Sequence, residues 1–284
     1  MAKSTTDYKD AIVKWKNLTL LDDRMFGMVM QDDQLCLALL QRIFPQLGIK
    51  QVKKIPLPNI ADDVRDSGGP HYDVYVRDDQ KRTFILESFS AEKSNYPLEA
   101  RMRYYLSTMD PDMQNLCEAN SEPHIHPLYI VFFCDFDYFG NNSPVYKFEL
   151  RCIEDPSLLA GDENHFRFFN AQATNLSDHP ELKGLFKLMH NQTQPGDALA
   201  EQIIQKMAQI KQDPERRQQF MKYEADLADA ERKGKEIGLE KGIRLATKML
   251  INLQLNDGII IRQLMETYDI SGTDAHHHLE EARK

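Results

Sequence analysis

Two carboxylates stand in neighbouring apolar runs of the chain, Asp73 in HYDVYVRD and Glu87 in RTFILESF. Both runs are rich in β-branched and aromatic residues, and the polar residues between them suit a hairpin turn, so the two acids are expected on adjacent strands. From there both carboxylates reach one edge of the sheet. A magnesium ion takes few protein carboxylates and fills its other positions with water and phosphate oxygens, so a converging Asp and Glu are the minimum set that would hold one. The chemistry they would support is metal-assisted hydrolysis of a phosphodiester. The competing expectation is structural. A strand-interior acid is costly to bury alone, and Arg65, His71 or Arg101 would each serve Asp73 as an ion-pair partner, with the same logic for Glu87.

Other chemistry-bearing residues give weaker signals. Arg101 and Arg103, with Tyr104 and Tyr105, follow the hairpin on a helical pattern and suit contact with DNA phosphates. The bland expectation there is a solvated arginine face with the tyrosines in the core. Asp135 and Asp137 in CDFDYFG sit at the end of a buried strand, where sites gather and where polar turns are equally common. His124 and His126 form a loop pair, and His276 to His278 a run near the C-terminus, neither with ligand-motif spacing. Cys36, Cys117, Cys134 and Cys152 lie far apart, with no paired spacing for zinc, and read as reduced core or boundary thiols.

The elements that must position these residues follow from periodicity. Apolar residues at Met25, Met28, Val29, Leu35, Leu39, Leu40 and Ile43 recur at helical spacing, interrupted by Asp32 and Asp33, which predicts two short helices with Asp33 capping the second. IKQVKKIPL reads as a half-buried strand, and DDVRDSGGP as a loop. Helical spacing returns from Ala91 to Met109. The almost continuous apolar run from Leu128 to Cys134 predicts a strand buried on both faces of a mixed sheet. Two further strands are expected in YKFELRCIE and around residues 165–171. Beyond Asn175 the pattern is helical: ELKGLFKLMHN, a long charged stretch from Asp197 to Gly242, and short helices to Lys284 separated at NDG and SGTD. Gly234, Gly238 and Gly242 recur every fourth residue among Lys and Glu. That pattern suits an exposed helix carrying ion pairs, and equally a packed contact in a homodimer.

At the level of segments the chain resembles the PD-(D/E)XK nuclease family transposases, relatives of recombination-promoting nucleases. The likeness is carried by LLDDRMFGMVMQDDQLCLALLQRIFP, YDVYVRDDQKRTFILE, RMRYYLSTMD, LYIVFFCDFDYFG, YKFELRCIED and the glycine-spaced helix, in family order over roughly residues 18–250. It implies a restriction-endonuclease-like α/β core with a mixed β-sheet flanked by helices at residues 1–175. A helical extension at 176–242 and a small helical region at 243–284 would follow. It also implies Asp73 and Glu87 as ligands of Mg2+ or Mn2+, DNA as the partner, and Arg101 and Arg103 on its phosphates. The sequence departs from the family pattern at two positions: Phe89 stands where the family carries a Gln, and His71 where it often carries an Arg. Pro111 interrupts the helix that usually ends in a Gln, leaving Gln114 one residue out of step. Lys93, Glu92 and Ser88 are the nearest polar replacements for the group that positions water, with Lys93 taken as the catalytic candidate. Two functions are carried forward: a metal-dependent DNA endonuclease, and a catalytically silent DNA-binding or oligomerising protein on the same fold.

Composition narrows the setting. The formal charge of -9 argues against a protein that coats nucleic acid by charge alone, while leaving room for a local basic face. No apolar run is long enough to span a membrane, and the charged start lacks the apolar stretch of a signal peptide, so a cytoplasmic protein is expected. The C-terminal IIIRQLMETYDISGTDAHHHL has the outline of a helix-turn-helix, but its second helix carries few basic residues. A small interaction bundle fits it better.

Overall fold

The computed structural model describes residues 5–55, 74–90, 97–108 and 125–283. Two compact units divide the chain, one of residues 15–216 and one of residues 1–14 with 217–284. The first is α/β, with a six-stranded mixed sheet among the described residues in the order β1-β2-β3-β4-β6-β5. Its strands are β1 Val52–Lys54, β2 Val74–Asp78, β3 Thr83–Phe89, β4 Leu128–Cys134, β5 Val145–Phe148 and β6 Asn164–Asn170. β1 and β2 pair antiparallel, as do β2 and β3, whereas β3, β4 and β6 run parallel; β5 returns antiparallel on β6. Every residue of β3 and of β4 is buried. That is the burial expected of central parallel strands covered on both faces.

The β2–β3 hairpin forms where the sequence places it. Asp78 closes its turn: Oδ1 accepts from the Gln80 and Arg82 N–H groups, and Oδ2 pairs with Arg82 Nε at 2.6 Å. Lys81 takes a left-handed conformation, φ 64°, which the tight return requires. The hairpin is anchored further by Arg82 Nη2, which donates to the Leu47 carbonyl at 2.8 Å.

Helices cover both faces of the sheet. α1, Thr5–Asn17, precedes them and belongs for most of its length to the other unit; α2 spans Asp23–Met30 and α3 Asp33–Ile43. Phe26 on α2 meets Phe133, and Phe44 at the end of α3 meets Phe84 and Tyr129. On the opposite face lies α4, Leu98–Thr108, whose Leu98 and Tyr105 join Ile85, Phe89, Ile130, Phe132 and Phe168 in one core cluster. The cap of α3 is Asp32 rather than the predicted Asp33; its Oδ1 accepts from Gln34 and Leu35 N–H, and Oδ2 takes Lys206 Nζ at 2.9 Å. Asp32 wins because it alone has the extended backbone an N-cap needs, while Asp33 is already helical.

Beyond β6 come α5, Lys183–Met189, and α6, Ala198–Gln212, which packs on α2 and α3. Asp197 caps α6 and pairs with Arg42 at 2.7 Å. A Cβ at Gly184 on α5 would run into this same carboxylate, so glycine permits the close approach. The strand expected over YKFELRCIE ends at Phe148. Past it, Glu149 turns its carboxylate to Arg151, His165 and Arg167, and the chain doubles back with Arg151 bridging Leu159.

The second unit contains most of α7, Pro214–Asn252, followed by α8, Asp257–Tyr268, and α9, Gly272–Arg283. The stretch from Asp197 thus divides at Asp213, whose carboxylate accepts from Glu215 and Arg216 N–H and starts α7. Asn256 caps α8, and Ser271 bonds reciprocally with Asp274 to start α9, at the two breaks expected from NDG and SGTD. Ile243, Ile260, Leu264, Ala275 and Leu279 form the core of this small bundle. Among the described residues, no helix is long and apolar enough to cross a membrane.

Candidate active site

Glu87 lies in the interior of β3, in register with Phe132 of β4, and is 1% exposed. Strand alternation puts it on the same face as Ile85 and Phe89, beneath α4. A carboxylate there must find partners or lose several kcal/mol of hydration. Among the described residues it finds two, both on α4. Tyr105, itself fully buried, donates its hydroxyl to Oε2. The guanidinium of Arg101 pairs through Nη1 with Oε1. Arg101 and Tyr105 are one helical turn apart, so both project from one face of α4 onto the acid. Glu87 Oε1 and Arg101 Nε make no oriented hydrogen bond among the described residues, so the contact is a pairing of charges.

Phe89 completes this arrangement. Its ring points to the Glu87 face, 5% exposed, with Arg101 Cζ 5.1 Å above its centroid. It packs edge-on against Phe132 at 6.3 Å and tilted against Phe136 at 5.7 Å. The position that the family resemblance assigns to a water-orienting Gln therefore holds an aromatic platform for the arginine that neutralises the acid. Ser88, one of the replacement candidates, faces away from this site, and its hydroxyl donates to the Leu21 carbonyl at 3.1 Å. Asp73, Lys93, Glu92, His71, Arg65 and Gln114 lie outside the described residues.

The structure also separates the two arginines predicted to face DNA. Arg101 turns inward to Glu87 and keeps 15% of its side chain exposed, whereas Arg103, two residues on, points to solvent. Asp137 is a turn organiser: it accepts from Gly140 N–H at 3.0 Å, Asn142 N–H at 2.6 Å and the Tyr146 hydroxyl at 2.7 Å. Burial pushes its carboxyl pKa up, and these donors more than offset that, leaving it below the usual range. Asp135 receives the Ser90 hydroxyl at 2.8 Å. His276 lies on an exposed helix face beside Glu280.

Among the described residues, no group of three or more His, Cys, Asp or Glu is placed to hold a metal ion. Glu87 does not fit a magnesium ligand as it stands, since both carboxylate oxygens already face partners, one of them a cation. Metal coordination would require Arg101 to leave the carboxylate it neutralises.

No family model, no curated protein and no solved structure matches the chain.

The sequence contained a signal for this cluster. A helix carrying Arg and Tyr at i and i+4, next to a strand with one internal acid, is a donor face waiting for an acceptor. Arg101 is one of the ion-pair partners expected for these two strand acids, and among the described residues its carboxylate is Glu87.

Proposed function

We propose that the chain is a non-cleaving protein that acts by association, built on the restriction-endonuclease-like scaffold its segments resemble. One observation carries this reading: Glu87, the family's metal-binding Glu by position, is buried under Arg101 and Tyr105 with the Phe89 ring beside it. A site built for cleavage would keep carboxylate oxygens open to a metal and a polar group next to them. Here an ion pair and a phenyl ring occupy that space. Arg101, drawn into the pair, is taken from any DNA-facing surface, and the formal charge of -9 adds no general attraction to phosphates.

The second reading is a DNA endonuclease using Mg2+ or Mn2+, with Asp73 and Glu87 as metal ligands, Lys93 positioning water and DNA held at Arg101 and Arg103. It is favoured by the sheet itself, an antiparallel hairpin feeding a parallel strand with the acid at its centre. Plasmid incubated with magnesium or manganese and the wild-type chain, Asp73→Ala or Glu87→Ala separates the two. Equal nicking by all three, no higher than the buffer blank, is expected. Nicking by the wild type that both substitutions abolish would establish the endonuclease instead.

A further inference from the structure

Most of α7 belongs to the second unit and carries a face that nothing among the described residues covers. Leu227 is 47% exposed, Leu245 65% and Met249 62%. Between the two leucines lie Glu231, Gly234, Gly238 and Lys241, all exposed, and a Cβ at either glycine would meet nothing within 4 Å. From Leu227 to Leu245 these residues alternate four-residue and three-residue steps, the a/d spacing of a helix-pairing seam. The seam is also close to palindromic. A two-fold axis midway between Gly234 and Gly238 sets Leu227 opposite Leu245, Glu231 opposite Lys241, and each glycine opposite the other.

We infer that α7 pairs antiparallel with α7 of a second copy of this chain, in the register set by that axis. The inference names the partner in the association reading above. Charge complementarity selects both the occupant and the direction. Among the described residues Glu240 and Lys241 have no ion-pair partner on their own chain, whereas Glu231 pairs with Lys235 at 2.6 Å and Arg232 with Asp229 at 3.0 Å. The antiparallel register brings the opposite sign to each unmatched charge, Glu231 to Lys241 and Arg232 to Glu240. A parallel pair would set Glu231 against Glu231 and Lys241 against Lys241, a like-charge arrangement that disfavours it. At the axis the two glycines remove the side chains that would hold the backbones apart. The leucines at the ends supply the apolar area, over a contact of about 27 Å at 1.5 Å per residue. Isologous two-fold contacts are by nature self-complementary, and this palindrome has that property in sequence.

Sedimentation velocity on the full chain tests the association, with helix content followed by circular dichroism. The wild type should show concentration-dependent dimerisation. Glu231→Lys and Lys241→Glu should each weaken it by at least about tenfold, and the double charge swap should restore it. Register is read by oxidative crosslinking in a Cys117→Ser, Cys152→Ser background: Gly234→Cys mixed with Gly238→Cys should crosslink, and neither should do so alone. A wild type that stays monomeric, a double swap no better than the single ones, or ready crosslinking of Gly234→Cys by itself would each overturn the inference. The plasmid assay probes Glu87 and these assays probe α7, so either reading can fail without the other.

Discussion

Arg101→Leu is expected to destabilise the protein by about 3–5 kcal/mol, the cost of leaving a buried carboxylate without its counter-charge. Glu87 is 1% exposed, so water cannot replace the lost guanidinium, and Tyr105 alone can satisfy only one oxygen. The same substitution also strips the cation from above the Phe89 ring. For a unit of this size the loss corresponds to a fall in melting temperature of roughly 10 °C. Replacing both partners, Glu87→Met with Arg101→Leu, should recover most of that loss, because an apolar pair of similar volume leaves no buried charge behind. Denaturant unfolding of the two single variants and the double variant measures the coupling directly. Additive losses would mean that the two side chains do not act as a pair.

Phe132→Ala should cost about as much, 3–5 kcal/mol, by a different route. Phe132 is fully buried, stacks on Phe168 with centroids 4.9 Å apart, and touches Phe89 and Tyr105 at 6.3 and 6.1 Å. Its ring therefore fills the floor beneath the Glu87 cluster, and its removal opens a cavity bounded by rigid β-strands that cannot collapse far. The unfolding midpoint in urea should drop with an unchanged slope, the sign of lost stability without a changed unfolded state. A shift under about 1 kcal/mol would mean that the neighbouring rings close over the gap, contrary to the packing described.

What could be read from the sequence was governed by how local its cause is. The apolar run from Leu128 to Cys134 specifies a doubly covered strand by itself, and β4 has those bounds. The turn between β2 and β3, and the helix starts at Asn256 and Ser271, are set by side chains that bond to their own neighbours, so they too were legible. The early end of β5 at Phe148 was not, because it depends on Glu149 being drawn to Arg167 on another strand. The choice of Asp32 over Asp33 as a cap turns on one residue's backbone angles and on Lys206, far along the chain. The candidate site was legible in half. Strand alternation alone places Phe89 on the Glu87 face, and Arg101 stands in the sequence among the candidate partners of Glu87, whereas the choice of Arg101 and the Tyr105 hydroxyl bond are tertiary and appear only once α4 is laid across the sheet.

Thermal melting of the wild-type chain across a manganese titration, beside Glu87→Gln, tests most directly whether Glu87 is committed to Arg101 and Tyr105. An intact metal site would gain about 2.7 kcal/mol at a hundred times its dissociation constant, a rise of several degrees. The ion-paired site predicts no rise in the wild type beyond that seen in Glu87→Gln. A manganese-dependent rise in the wild type that Glu87→Gln abolishes would contradict it.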